Sequence, residues 1–164
     1  MIKNESKTLV RAFIAGAIEV SNTMGTQTLY NWLRAVGEKL GEMEGGGMEG
    51  RKKNDLYYHP ICPFTALLET AHCQELIKKE NSYAEIPREE GVDKPACADI
   101  ICIMHHAYMK KRAELAGKKF FHLAAKSHLT NESIFNDEAI KEVGKKKREI
   151  EKLMENVACV FMYR

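Results

Sequence analysis

No run of apolar residues in this chain approaches the roughly 20 needed to span a bilayer. The longest candidate, AFIAGAI at 12–18, is bounded by Arg11 and Glu19, so no membrane partner is expected. An excess of one charge is missing too. The 25 Lys and Arg face 23 Asp and Glu, a formal net charge of +2. A nucleic-acid binder concentrates excess Lys and Arg on one face, so no nucleic-acid partner is expected either. No CxxC pair occurs, and five cysteines make an odd number without a dense framework. In a reducing compartment such cysteines are thiols or metal ligands before they are disulfides. The opening MIKNESKTLV carries Glu5, and no small-residue cleavage site follows its apolar part. No signal peptide is expected, and the cytoplasm is the default location.

What remains is an ordinary globular composition. The chain has 164 residues, 45% hydrophobic and 29% charged, enough for one domain with a real core. Leu9, Phe13, Ala17 and Val20 repeat at a helical period, with Ser6 available as a cap. A turn at 21–25 leads to a second helix opened by Thr26, with Leu29, Leu33, Val36 and Leu40 on one stripe. The two form a helical hairpin over 1–40. The glycine-rich stretch 41–55 has almost no apolar anchors and lacks GKS/T, so it reads as a flexible loop rather than a phosphate cradle.

The remainder, 56–164, alternates short strands and helices. DLYYHPICP (55–63) reads as a strand stopped by Pro63, and 64–80 as a helix with Lys78 and Lys79 complementing its C-terminal dipole. After a linker, Asp93 and Pro95 suit the start of a central helix that Gly117 ends. FFHLAAKSH (120–128) reads as a strand, with a continued helix as the alternative. Residues 130–155 read as one or two surface helices, and VACVFMY as a buried closing strand.

Several groupings of side chains could carry chemistry. Glu69-x-x-His72 is half of a di-iron motif, but no other histidine has an acid three residues earlier, and a polar helix face accounts for it as well. His105 and His106 project about 100° apart on a helix, so only one of them is expected to face a core or site. His106 shares a stripe with Asp99, Cys102, Met109 and Ala113, which suits a metal or an activated thiol, or a half-buried face. Cys62 stands at a strand-to-helix corner, where a helix dipole could activate it or where it simply fills space. Cys97, Cys102, His128 and Cys159 offer thiolate and imidazole donors of the kind zinc takes in fours. Cys97 and Cys102 lie about 140° apart around a helix, so serving one ion together requires a bent first turn. Buried, inert cysteines are the other reading of the same residues.

The order of these features has a counterpart. A strand ending in Cys62-Pro63, a helix, a Cys-led helix, a strand ending at His128 and a closing strand centred on Cys159 resemble the 4-vinyl reductase domain over roughly residues 26–164. That domain is a small-molecule-binding module, and the pattern is also similar to the 2-amino-thiazoline-carboxylate hydrolase family. The resemblance implies zinc held by Cys102 or Cys97, by His128 in place of a strand cysteine, and by Cys159. The family's glutamate falls on Ala125, so the fourth donor is either missing or replaced, with Cys97 as the candidate replacement. About 25 extra residues also precede the last strand, more than a hairpin loop holds. The 6–40 helices resemble the family's dimerising region.

The expectation is therefore an α+β domain with helices on one face of a small antiparallel sheet. An apolar pocket is expected among Trp32, Val36, Ile100, Met104 and Tyr108, as concave apolar sites usually hold ligands. The expected function is binding of a small hydrophobic or aromatic ligand by a zinc-stabilised homodimer. An enzyme, either a reductase or a hydrolase using a cysteine with His106 and Asp99, is the first alternative. A protein-interaction scaffold is the second.

Overall fold

The apolar periodicity of the N-terminal part produces two helices, α1 (Ile2–Met24) and α2 (Thr26–Glu44), in a computed structural model that describes residues 2–64, 71–81, 91–96, 99–128 and 130–164. The turn between them is one residue, Gly25, at a φ of 85° that favours glycine. Ser6 lies within α1 rather than at its start. Phe13 of α1 stacks on Trp32 of α2 at 5.4 Å. Next come β1 (Arg51–Lys53), β2 (Leu56–His59), α3 (Ala71–Asn81) and α4 (Ile101–Leu115). The chain closes with β3 (Phe120–Lys126), β4 (Ser133–Phe135), α5 (Asp137–Glu142), α6 (Lys147–Met154) and β5 (Cys159–Tyr163).

The strands make one antiparallel sheet in the order β1-β2-β5-β3-β4, and the fold is α+β as expected. Its central strands β3 and β5 are buried almost throughout, so both faces of the sheet are covered. On one face Cys159, Phe161 and Tyr163 pack with Met109 and Ala113 of α4. On the other, Val160 and Met162 pack with Ile140, Ile150 and Met154 of α5 and α6. Helices were expected on one face only. The second layer is supplied by the residues before the last strand, the same stretch that exceeds a hairpin loop. The exposed edge strand β1 is Arg-Lys-Lys, a charge run that discourages pairing with another chain.

α4 is wedged between the sheet and α2, which explains why it is buried on nearly every side. The approach of α2 is close because Gly37 and Gly41, one turn apart, present bare backbone. A methyl group at Gly37 would lie well under 3.0 Å from the Met104 carbonyl oxygen, and one at Gly41 would lie 2.8 Å from the Lys111 Cβ.

Some boundaries differ from expectation. The central helix starts at Ile101 rather than near Pro95. Lys94 and Ala96 are instead tied to the sheet layer: the Asn136 side chain donates to the Lys94 carbonyl, and the Ala96 N–H donates to His122 Nδ1. Stretch 41–55 contains β1 and is anchored. The Gly47 N–H donates to the Arg112 carbonyl, Arg112 binds Glu49, and Gly50 lies over the Phe161 ring, where no side chain would fit. β3 stops at Lys126, before His128. The 130–155 segment begins with a strand, and its helices are set by the Asn136 cap and by a break at Gly144 (φ 71°). For the 64–80 helix, the described part is α3.

Candidate metal centre

Strand alternation puts Tyr57 and His59 of β2 on the face toward α4, and Tyr58 on the opposite face. His59 is the last residue of its strand and is paired directly with Cys159, the first residue of β5. Its Nδ1 lies 3.5 Å from the Cys159 sulfur. From above, α4 lowers His105 onto the pair, with its ring centroid 5.2 Å from that of His59. The donor atoms of His59, His105 and Cys159 all lie within 4.8 Å of one another, and all three residues are buried. This group could hold a metal ion.

The chemistry of the three fits that role. Zinc bonds of about 2.0–2.1 Å to nitrogen and 2.3 Å to sulfur set tetrahedral edges of about 3.3 Å between nitrogens and about 3.6 Å between nitrogen and sulfur. The His59–Cys159 separation already matches such an edge, and His105 needs a side-chain adjustment of about 1 Å. His105 Nε2 is buried without a hydrogen-bond partner among the described residues, and a metal bond would satisfy it. Burial lowers the pKa of both His59 and His105, in His105 far below the usual histidine range, so both rings are neutral and keep a lone pair for a metal. Burial also holds the Cys159 thiol far above the ordinary range, with Cys62 and then Cys102 adding to the effect. Binding an ion there must expel the thiol proton, which makes affinity rise with pH.

A second imidazole pair lies beside the first. His106 faces His122 of β3 at 5.6 Å and Phe120 at 5.4 Å. Burial depresses the pKa of His106 to about 3 and that of His122 well below the usual range. The N–H donated by Ala96 fixes Nδ1 of His122 as the acceptor, so the proton of its neutral ring sits on Nε2. Both adjacent histidines of α4 are therefore buried. The expectation that only one could be is corrected by the helix having protein on nearly all sides.

The residues singled out by sequence divide. Cys159 is in the centre. Cys102 is half-buried one turn before His105 and packs against the core of α1, α2 and α3. His128 follows the end of β3 and is absent from the three-donor group; its backbone N–H donates to Asp99 Oδ2 at 2.8 Å. Cys97 and Glu69 lie outside the described residues. Trp32, Val36, Ile100 and Met104 pack together in the α1–α2–α3 core, whereas Tyr108 belongs to the sheet-side cluster and donates to Glu49 at 2.7 Å. Asp99 accepts from Ser127 and His128 while His106 faces His122, so the two point to different partners among the described residues.

His59 was not singled out by sequence, and of the adjacent pair it was His106 rather than His105 that was developed as a ligand. The signal of His59 and His105 was present as His59-x-x-Cys62 and Cys102-x-x-His105, two mixed pairs that a search for CxxC passes over. Next to the centre is a groove of about 510 Å³, lined by Pro60, Ile61, Cys62, His128, Val157 and Ala158 among others. No described helix is long and apolar enough to cross a membrane. Comparison of the chain with protein-family models, curated proteins and solved structures finds no match.

Proposed function

We propose that this chain is a zinc-stabilised domain that binds a small hydrophobic or aromatic ligand. The observation that carries the reading is the buried His59–His105–Cys159 group. Two imidazoles and a thiol suit zinc, whereas calcium and magnesium take oxygen ligands. When bound, the ion supplies a cross-link between β2, β5 and α4 at the end of the core. The ligand occupies the neighbouring groove, whose Pro60, Ile61, Val157 and Ala158 offer apolar surface beside polar Ser127, Asn131 and Asn156. The resemblance to 4-vinyl reductase domains supports the same pairing of a zinc centre with a small-molecule site. Homodimerisation through the N-terminal helices belongs to this reading, since α1 leaves Leu9 71% and Met24 66% exposed. A reducing cytoplasm keeps the thiols available.

The test is metal analysis of the purified chain, followed by thermal shift with a panel of hydrophobic and aromatic compounds. The expected result is one zinc per chain, lost in Cys159→Ser, and a ligand-dependent gain in stability by mass action. Absence of stoichiometric metal refutes the zinc centre, and an unresponsive panel refutes the ligand.

A further inference from the structure

The three donors leave one corner of a tetrahedron unfilled; Cys62 and Cys102 lie outside the 4.8 Å group, but each is three residues from one of its histidines. Cys102 precedes His105 by one helical turn and Cys62 follows His59 by three residues. Chain geometry favours the second. β2 delivers His59 with its ring 5.2 Å from that of His105. The backbone then bends at 60–61, and Phe64 returns to contact the same His105 ring edge-on at 5.4 Å. Cys62 lies on the arc between two residues that both touch His105. It also lines the groove, together with Ala158, the neighbour of Cys159. Both thiols pack against the helical core, but only Cys62 also lines that groove.

On the reading of the three-donor group as a zinc centre, we propose that Cys62 is its fourth ligand, and the one that places the ion at the wall of the groove. The site is then a Cys₂His₂ set drawn from a strand end, the corner after it, a helix and a second strand. Closed structural sites take four protein donors, whereas sites that act on small molecules keep one exchangeable position. Here the donor on the groove side sits on a bend rather than on a helix or strand, so it is the one that an occupant of the groove can displace.

Cobalt(II) replaces zinc in such sites and reports thiolates through its sulfur-to-metal charge-transfer band. Wild type, Cys62→Ser and Cys102→Ser are to be loaded with cobalt and compared per bound ion. The expected result is a band about half as intense in Cys62→Ser, one thiolate of two being lost, and an unchanged band in Cys102→Ser. A halved band in Cys102→Ser with Cys62→Ser unchanged overturns the proposal, as does no change in either. Should Cys62→Ser fail to fold, wild type decides by alkylation with iodoacetamide and peptide mapping. Cys62 must be protected by zinc and released by chelation; equal labelling with and without metal overturns the assignment. A wild type that develops no cobalt band at all refutes the metal centre itself, a result distinct from any pattern among the cysteine variants.

Discussion

Replacing Gly37 by alanine tests whether the position of α4, and with it that of His105 and His106, is set by backbone contact with α2. In an exposed helix the change is favourable, because alanine forms helix better than glycine by about 0.5–1 kcal/mol. At Gly37 the added methyl lies well under 3.0 Å from the Met104 carbonyl oxygen and 3.0 Å from the Ala107 Cβ, both on a buried stretch of α4. Backbone cannot swing aside as a side-chain tip can, so the helices must separate. Overpacking of this kind typically costs about 1–3 kcal/mol. Separation also loosens Met104 and Ala107 from their neighbours, which pushes the cost toward the upper end.

Gly16, inside α1, provides the control. A methyl there meets nothing within 4 Å, so Gly16→Ala should gain the propensity term alone. The two variants should differ by about 2–3 kcal/mol in opposite directions from wild type. Urea unfolding followed by far-ultraviolet circular dichroism, with Trp32 fluorescence as a second probe, measures both. For a chain of this size, melting temperatures should separate by about 4–12 °C. Zinc affinity should fall in Gly37→Ala and not in Gly16→Ala, because only the first moves the helix that carries His105. If Gly37→Ala proves as stable as Gly16→Ala, the close approach of α2 and α4 is not what fixes the centre.

Acid should unfold the chelated protein early. His105, His106 and His122 have folded pKa values below their unfolded value near 6.5, so the unfolded chain binds protons first. Stability is then intact above that value and lost as pH falls toward 3; His106 alone costs about 2 kcal/mol at pH 5, and a urea midpoint unchanged between pH 7.5 and 5 would refute this. Asn136→Ala removes a cap accepting from the Ala139 N–H and a donor to the Lys94 carbonyl, for about 2–3 kcal/mol. Asn136→Asp should recover the cap alone, and equal loss in the two would remove capping from the account. His59→Ala should abolish stoichiometric zinc and His128→Ala should retain it, as inductively coupled plasma analysis would show; the reverse pattern would restore the ligand set implied by resemblance.

The elements of this fold were legible where one periodicity ran unopposed. Leu29, Leu33, Val36 and Leu40 announce α2, and the β-branched and aromatic run from Val157 to Tyr163 announces β5. Legibility failed where a stretch is ordered by distant partners. The 41–55 stretch looks unanchored because its anchors, Arg112, Tyr108 and Phe161, come from α4 and β5. The start of α4 was misplaced because a capping residue and a proline stand at 93–95, while the bonds that tie down 94 and 96 come from Asn136 and His122. A second helical layer was unreadable for a related reason. Its sparse apolar residues, such as Ile140 and Ile150, suit a narrow contact anywhere, and only the sheet's outward row of Leu123, Val160 and Met162 shows what they cover.

The centre was half legible, and the missing half follows from treating α4 as amphipathic. A helix with one wet face can bury only one of two adjacent histidines, so His105 and His106 looked like competitors. Once glycines bring α2 against one side and the sheet closes the other, both rings are inside, and each must meet a strand partner: His105 meets His59, and His106 meets His122. Desolvation makes all four neutral, and this neutrality separates their roles. His122 accepts a backbone N–H on Nδ1, a fixed structural bond. His105 keeps an Nε2 with no hydrogen-bond partner among the described residues, and a ring nitrogen of His105 lies within 4.8 Å of donor atoms of a second imidazole and a thiol. A buried polar atom without a partner costs about 1–3 kcal/mol, a cost that a bound ion would offset. The choice between a spectator cysteine and a ligand therefore turns on His105: Cys159 alone reads either way, and Cys159 beside two neutral imidazoles belongs to a group that could hold a metal ion.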